Sequence, residues 1–582
     1  MKNVFFNLLL FAFIGIGCDT QNRDTNTEPA FAKFEGSFLD AYFKQYPGSS
    51  ISSGYGKYYD NLVIPNPETF ANNIRFSKNW ISELEKLDTT KWSDNDKISA
   101  RVLKNQLESD IWYTSVLKPY EWNASQYNIS GECDYIINQP YAPLDERLNI
   151  LAKHLEHADE YYKSALTILN EPTKEHVALA IVQNQGGLAV FGKPLQDSIN
   201  LSHLTTEEKS TLQQNIIKTT TAMTTYVAAL TAMLADKNHV FRSFRIGKEL
   251  FKEKFRYDIA SDLTPEQVYE MAFADKKILH RKMYDLANKV WTKYYNSQTK
   301  PADTLQLVQM VLNKVELQHV EAKDFLASLT NQVHELKKFI IAKDLFDFDT
   351  INPPINVRLM PEYARGVAAA NAEFVPPFQK QGTTYYNIDD ITQYSKEKAE
   401  LALREDNNFG SQILSMHEAV PGHCMQGIYS NKKSPDVLRA VFQNGAMVEG
   451  WAVYSEEMMV ENGWGNYAPE ISLELYRWYL RDLSNFLIDY DIHCLNKPRE
   501  YILHLLVKEA FQLQTQAESK YHRATVSQVQ LCSYYTGYKA IKALREEYKT
   551  KIGTTYSLKE FHEKFLSFGG SPVKFIRERM LQ

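Results

Sequence analysis

Two histidines and a glutamate lie close together near the middle of the C-terminal half of the chain. Residues 415–426 read Ser-Met-His-Glu-Ala-Val-Pro-Gly-His-Cys-Met-Gln, so His417 and Glu418 are followed by His423. Neutral imidazoles together with a carboxylate bind catalytic zinc, which keeps a fourth position for water. A glutamate beside the first histidine can accept a proton from that water. These residue types indicate metal-dependent hydrolysis, with zinc preferred over Mn, Co or Fe.

The spacing of the two histidines differs from that of the common zinc-hydrolase helix. In the H-E-x-x-H pattern both imidazoles lie on one helix face. His423 follows His417 by six residues, and on a straight helix this is a rotation of about 600°, so the rings would diverge. Pro421 cannot donate a backbone hydrogen bond, and Gly422 tolerates unusual dihedral angles. We therefore expect a widened or broken turn at Pro421-Gly422 that brings the imidazoles together.

A second acidic segment provides two candidates for the third ligand. Residues 448–457 read Val-Glu-Gly-Trp-Ala-Val-Tyr-Ser-Glu-Glu. Glu449 lies 26 residues after His423, which leaves room for a turn and a returning helix. Glu456 is two turns further on the same face, so one acid can bind metal while the other holds a ligand histidine. An amphipathic helix with exposed acids is the alternative, although the small Gly450 favours close approach of another element.

Two further His-Glu pairs serve as a comparison. They are His334-Glu335 and His562-Glu563, and neither has a histidine within the next six residues. We expect both pairs to lie on solvated helix faces. A His-Glu pair alone is therefore weak evidence of a metal site.

Most of the remaining sequence has the periodicity of α-helices, which predicts a mainly α fold. Apolar residues recur at helical spacing, and capping residues precede acidic first turns. The predicted helices cover residues 145–170, 205–236, 264–294 and, as one or two helices, 305–343. Residues 350–390 contain five prolines and are expected to form a loop with a short extended stretch.

Composition excludes several classes of protein. The 582 residues carry a net charge of −6, whereas a nucleic-acid-binding protein normally has a basic surplus. A hydrophobic content of 44% argues against disorder over most of the chain. The five cysteines are widely spaced without a C-x-x-C pair, so a thiolate zinc site is not expected.

The N-terminus has the features of an export signal. Residues 4–17 form an apolar run that is too short to span a membrane but has the size of a secretory signal core. The following Cys18, preceded by small residues, resembles the cleavage box of bacterial lipoproteins. This resemblance implies a signal peptide at 1–17, acylation of Cys18 and a polar tether over 18–40. A plain signal peptide with an incidental cysteine is the alternative, and it would leave the protein periplasmic.

At the level of whole motifs, the chain resembles a known bacterial family. His-Glu-Ala-x-Pro-Gly-His-x-x-Gln followed by Glu-Gly-Trp-Ala-x-Tyr-x-Glu is similar to the signature of domain of unknown function 885. That family is grouped with the zincin-like metallopeptidases, near the angiotensin-converting enzyme, neurolysin and thermostable carboxypeptidase relatives. The resemblance implies a large helical zincin-like fold with a central cleft and little β structure. It also implies one domain over 41–582 with the zinc site at 417–456.

The resemblance also implies roles for individual residues. His417 and His423 would bind zinc with Glu449 as third ligand, preferred over Glu456, which would then hold a ligand histidine. Glu418 would be the general base.

Two more residues match the family pattern downstream of these motifs. His493 would bind the substrate carbonyl or a terminal carboxylate, and Tyr534 would stabilise the oxyanion. For both, a buried side chain with a satisfied hydrogen bond is the alternative. Asp491, Asn485 and Cys424 depart from the family's usual Gly, Arg and His, and they put the substrate preference in doubt.

These expectations combine into a zinc-dependent metallopeptidase that hydrolyses short peptides. It would be exported to the bacterial cell envelope and anchored in the membrane through Cys18, without a nucleic-acid partner. Two alternatives remain at this point. One is a non-catalytic, ligand-binding envelope lipoprotein that uses residues 375–386 as a platform. The other is a zinc hydrolase of another amide or ester.

Overall fold

Helices account for 73% of the described residues and strands for 3%, so the expected mainly α fold is confirmed. The computed structural model describes residues 28–347, 355–360, 370–379, 382–433 and 436–582. The predicted signal peptide and Cys18 lie outside the described residues. Within the described ranges, no helix combines the length and the apolar character that crossing a membrane requires.

The described chain up to residue 347 contains fifteen α-helices. They are α1 (Pro29–Gln45), α2 (Pro47–Ser53), α3 (Pro67–Glu85), α4 (Asp94–Trp112), α5 (Pro119–Trp122), α6 (Ser130–Asn138), α7 (Leu144–His154), α8 (Ala158–Ile168), α9 (Lys174–Gly187), α10 (Lys193–Leu201), α11 (Thr206–Ala235), α12 (Gly247–Asp258), α13 (Pro265–Tyr295), α14 (Thr304–Val315) and α15 (Phe325–Ala342).

The described chain from residue 355 onward begins with a small sheet and continues with further helices. They are β1 (Ile355–Leu359), β2 (Ala370–Glu373), β3 (Thr384–Ile388), α16 (Lys396–Glu405), α17 (Gly410–Glu418), α18 (His423–Lys433), α19 (Val437–Val441), α20 (Gly445–Glu461), α21 (Pro469–His493), α22 (Arg499–His504), α23 (Gln514–Ser527), α24 (Ser533–Ile552), α25 (Leu558–Leu566) and α26 (Val573–Met580).

Local sequence signals account for the long helices. Thr205 caps α11 and exchanges hydrogen bonds with Glu208 in a capping box, as its Thr-x-x-Glu sequence predicts. Thr264 and Gln267 do the same for α13. The single helix predicted over 145–170 is wrong, because the chain leaves the helix between α7 and α8. Both pieces pack against α11, so tertiary packing overrides the continuous apolar pattern.

Both ends of the described chain contribute to one hydrophobic core. This core gathers side chains from α1, α4, α15, α17, α18, α20 and α24 to α26. Phe31 and Phe38 of α1 are fully buried in it. The polar tether predicted over 18–40 is therefore wrong from Pro29 onward, because three phenylalanines on one face of α1 bury it in the protein.

The proline-rich segment forms more β structure than expected. Its three strands are ordered β1-β3-β2, with β1 parallel and β2 antiparallel to the central β3. Tyr386 and Ile388 of β3 are buried. Strand β2 is an edge of this sheet, and it packs against α17 and α18, the two helices that carry the histidine motif.

Candidate metal centre

The two histidines stand on opposite sides of a helix break. Helix α17 ends at Glu418 and α18 begins at His423, with a cis peptide bond between Val420 and Pro421. A Cβ atom on Gly422 would lie 1.8 Å from the carbonyl oxygen of His417, so this close approach requires glycine. The break brings the two imidazoles to a centroid distance of 4.8 Å, with their planes 89° apart. The six-residue spacing is thus compatible with a shared site.

Glu449 of α20 faces both imidazoles. Its Oε2 lies 3.7 Å from Nε2 of His417 and 3.5 Å from Nε2 of His423. The three ligand atoms lie within 4.8 Å of one another, which makes this the one such group among the described residues. Ligands of a tetrahedral zinc stand about 3.3 Å apart, given zinc bonds of about 2.0–2.1 Å. These donors and their spacing fit a zinc ion.

Glu456 meets the other nitrogen of the first histidine. Nδ1 of His417 lies 2.6 Å from Oε1 of Glu456, which is fully buried. The imidazole can therefore donate from Nδ1 to Glu456 and leave Nε2 facing Glu449. This contact sets both the tautomer and the orientation of His417.

The charges of these groups depend on one another. Burial by itself would raise the pKa of the Glu449 carboxyl, but hydrogen bonds from His417 and His423 hold it well below its usual range. Burial likewise opposes protonation of His417, yet hydrogen bonds with Glu449 and Glu456 raise its pKa well above the ordinary value. Without a metal, protons thus balance the buried carboxylates. Metal binding would release protons from the site.

Glu418 is held beside the histidines by the edge strand. The backbone N–H of Ala372 in β2 donates a hydrogen bond to its carboxylate, whereas burial raises its pKa. A buried carboxylate with a raised pKa is suited to accept and return a proton. Ala372 could not be found from the sequence, because a backbone donor leaves no mark in side-chain motifs.

Tyr534 of α24 lies close to the same carboxylates. Burial and the negative charge of Glu449 raise the pKa of its phenol, which also accepts a hydrogen bond from Nη2 of Arg523 at 3.2 Å. Helices α20 and α24 approach closely at a pair of glycines, where a Cβ on Gly450 would lie 2.3 Å from the carbonyl carbon of Gly537. This close approach, which Gly450 suggested, positions Tyr534 near Glu449.

His493 is not part of this group. It is 1% exposed, its Nε2 lies 2.9 Å from the carbonyl oxygen of Ala524, and its ring packs against Phe244 and Phe251. Burial lowers its pKa to about 4. Asp482, also on α21, lies near enough to His417 for the histidine to affect its pKa. His493 is eleven residues further along this helix, a distance of about 16 Å. His493 therefore has the buried, hydrogen-bonded environment that was expected as the alternative to a substrate-binding role.

Two aromatic residues that follow Glu449 on α20 form hydrogen bonds with neighbouring elements. Nε1 of Trp451 donates to the carbonyl oxygen of Pro421 at 2.9 Å and so braces the helix break. The hydroxyl of Tyr454 lies 2.9 Å from Nε2 of His562. His562 is fully buried, so its predicted place on a solvated helix face is wrong. His334 is exposed, as expected.

A cavity of about 260 Å³ borders the helix that carries His423. Gln426, Gly427 and Ser430 line it and follow His423 on one face of α18. The segment after β2, including Phe374 and Pro376, forms another wall. None of the described lining residues is charged, so the cavity suits an uncharged group.

Comparison with known sequences places the chain in a family. Residues 47–580 match the family described as "Bacterial protein of unknown function (DUF885)". The chain belongs to the DUF885 family. The comparison with curated proteins gives no match.

Two solved structures share the DUF885 fold seen here. One is described as "a putative lipoprotein of unknown function from Shewanella oneidensis"; it is 38% identical with a TM-score of 0.87, and the match covers 95% of this chain and 100% of that one. The other is described as "the putative lipoprotein from Colwellia psychrerythraea"; it is 17% identical with a TM-score of 0.77, and the match covers 95% and 98%. Both descriptions name lipoproteins, and neither names an activity.

Proposed function

We propose that this DUF885 protein is a zinc-dependent metallopeptidase that hydrolyses short peptides. The observation that carries the proposal is the convergence of His417, His423 and Glu449, with Glu418 beside them. A structural zinc site closes its fourth position with another protein ligand, whereas a catalytic site leaves that position to water. The described residues provide three such donors here, as a catalytic site requires.

The neighbouring residues suit amide hydrolysis. Zinc held by the three donors would polarise a carbonyl group and acidify water. Glu418 would accept a proton from the attacking water and pass it to the leaving amine. Tyr534 donates a hydrogen bond to the oxyanion that develops on the carbonyl oxygen. Glu456 keeps His417 in its binding orientation.

The surroundings favour an extended peptide as substrate. Edge strand β2 contacts Glu418 through Ala372, and a sheet edge can pair with an extended peptide backbone. The uncharged cavity beyond His423 can accept an apolar or small polar side chain of such a peptide. We propose a location in the bacterial envelope with an anchor at Cys18; the description of the 38% identical neighbour as a putative lipoprotein supports this.

Metal analysis of the purified protein tests this proposal. We expect about one zinc per chain in the wild type and none in His423→Ala, because two remaining donors bind zinc weakly. His334→Ala is the matched control, since this histidine is exposed and outside the site. A well-folded wild-type protein that takes up no stoichiometric metal after zinc is supplied would overturn the proposal and favour a binding lipoprotein.

A further inference from the structure

Beyond Tyr534, helices α21 and α23 enclose a group of buried polar side chains. Asp482, Asn485, Asp489 and His493 recur every three or four residues and so share one face of α21. All four are at most 7% exposed. Within the described part of the chain, Oδ2 of Asp482 and Oδ1 of Asn485 have no hydrogen-bond partner. Because buried polar atoms are nearly always paired, this face is built to meet a polar ligand or water.

Two cations on α23 border the same space. Lys520 and Arg523 lie one turn apart on this helix. Nζ of Lys520 donates to the carbonyl oxygen of Arg481 at 3.5 Å, and Arg523 contacts Gln530 and the hydroxyl of Tyr534. Neither cation forms an ion pair with an acid among the residues that the structure describes.

The acids near Lys520 balance its charge only in part. Arg481 is paired with Glu405 at 2.7 Å. Burial raises the pKa of Asp482 to about 7, so this acid is a weak counter-charge for its neighbours. Burial and the charge of Arg481 lower the pKa of Lys520 to about 7. An anionic ligand would relieve the unfavourable environment of this ammonium group.

The cations connect directly to the proposed catalytic group. Arg523 donates to the phenol of Tyr534, whose own pKa responds to Glu449. An anion on Lys520 and Arg523 would therefore lie beside the group that faces the scissile carbonyl. In a bound peptide, such an anion belongs to a residue just beyond the scissile bond.

We propose that Lys520 and Arg523, with Asn485 beside them, bind the C-terminal carboxylate of the peptide, so that the enzyme releases residues from the C-terminus. This inference rests on the proposed peptidase function. In the reaction, water adds across the amide bond, the carbonyl side leaves as a new carboxylate and the C-terminal fragment leaves as an amine. The carboxylate on the two cations takes no part in bond breaking and serves only to position the substrate.

The test compares two pools of N-acetylated, randomised tetrapeptides that differ only at their C-terminus, one a free acid and one a carboxamide. For the zinc-loaded wild type we expect the free-acid pool to be cleaved about 100-fold more efficiently, because hydrogen bonds to charged groups are strong. Lys520→Met and Arg523→Met should each remove most of this preference while the zinc content stays unchanged. Lys549→Met, an exposed cation of α24, is the matched control.

Retention of the two pools on the immobilised Glu418→Gln variant gives a readout that does not need hydrolysis. We expect the free-acid pool to be retained and the loss of Lys520 to abolish retention. Equal cleavage of both pools would overturn the carboxylate site and leave the peptidase standing. Cleavage of neither pool would contradict the peptidase. A preference only for peptides with internal Asp or Glu would show that the two cations bind a side-chain carboxylate instead. That result would overturn the proposed release of residues from the C-terminus.

Discussion

Glu449 and Glu456 stand seven residues apart on α20, and each meets a different nitrogen of His417. Oε2 of Glu449 faces Nε2, and Oε1 of Glu456 accepts from Nδ1. Only Glu449 also faces His423. Two acids with the same local pattern thus have different environments, because the ring of His417 lies between them.

This difference predicts unequal effects on zinc affinity. Glu449→Gln should lose stoichiometric zinc, because it removes a ligand. Glu456→Gln should keep the ion but bind it about 10–100-fold more weakly, since it only loosens the orientation of His417. Competition with a chelator measures both constants. Full zinc occupancy in Glu449→Gln together with its loss in Glu456→Gln would reverse the assignment.

Glu418 is predicted to matter for turnover and not for metal binding. Glu418→Gln should retain zinc and lower kcat about 10²–10⁴-fold, because the amide cannot accept the proton. Peptide hydrolysis and metal content are measured on the same preparation. Glu335→Gln, from the exposed His-Glu pair on α15, should change neither. Full activity of Glu418→Gln would remove it from the mechanism.

His562 makes stability depend on acid pH. Burial lowers its pKa to about 3, whereas an unfolded histidine has a pKa of about 6.5. Its contribution is therefore complete above about pH 6.5 and declines as the pH falls toward 3. Between pH 7 and 4 the loss is about 3 kcal/mol of unfolding free energy. Denaturant unfolding should show a shallower pH dependence in His562→Phe than in the wild type or in His334→Phe, and equal slopes would contradict this.

At the scale of elements, the break between α17 and α18 decides whether the two histidines can meet. The backbone N–H of Gly422 donates to the carbonyl oxygen of Met416 at 2.9 Å. Trp451 braces the same turn from α20. Residues of both motifs therefore hold the break. This explains why Gly422 and Trp451 occur close in sequence to the proposed ligands.

Gly422→Ala is expected to disrupt this turn. The added Cβ would lie 1.8 Å from a backbone oxygen, so α17 and α18 must shift apart. We expect loss of zinc binding and a destabilisation of several kcal/mol, of the order seen for severe packing faults. Gly131→Ala is the control, because nothing lies within 4 Å of its Cβ position. Zinc content and thermal unfolding distinguish the two variants, and an unaltered zinc site in Gly422→Ala would contradict the argument.

At the scale of the whole molecule, α1 closes a core that also contains the C-terminal helices. Phe31, Phe34 and Phe38 pack in the same cluster as Phe575 and Ile576. The folded body therefore begins before residue 41. Helices from opposite ends of the chain support the elements that carry the metal ligands.

Truncation tests this boundary. A protein that starts at residue 41 lacks Phe31, Phe34 and Phe38 of α1, each worth about 1.5–3 kcal/mol of burial. Because total stability is typically about 5–15 kcal/mol, we expect this protein to be insoluble or to unfold at a much lower temperature. A protein that starts at residue 28 should unfold at the same temperature as one that starts at residue 19. Equal melting temperatures for the two would show that α1 is dispensable.

The sequence by itself was sufficient for features that depend on neighbouring residues. Capping patterns located α11 and α13, Pro421-Gly422 marked the helix break, and His417, Glu418 and His423 were recognisable from residue type and spacing. These features are local, since they follow from dihedral preferences and from the chemistry of individual side chains.

Only the tertiary structure decided which distant residues meet. It placed Glu449 next to both imidazoles, buried His493 against Phe244, and brought Arg523 to Tyr534. It also drew α1 into the core. Such contacts depend on how helices pack, and one helical pattern is compatible with many packings. The sequence therefore determined the chemistry available to this DUF885 protein, and the packing of α17, α18, α20 and α24 determined where it is assembled.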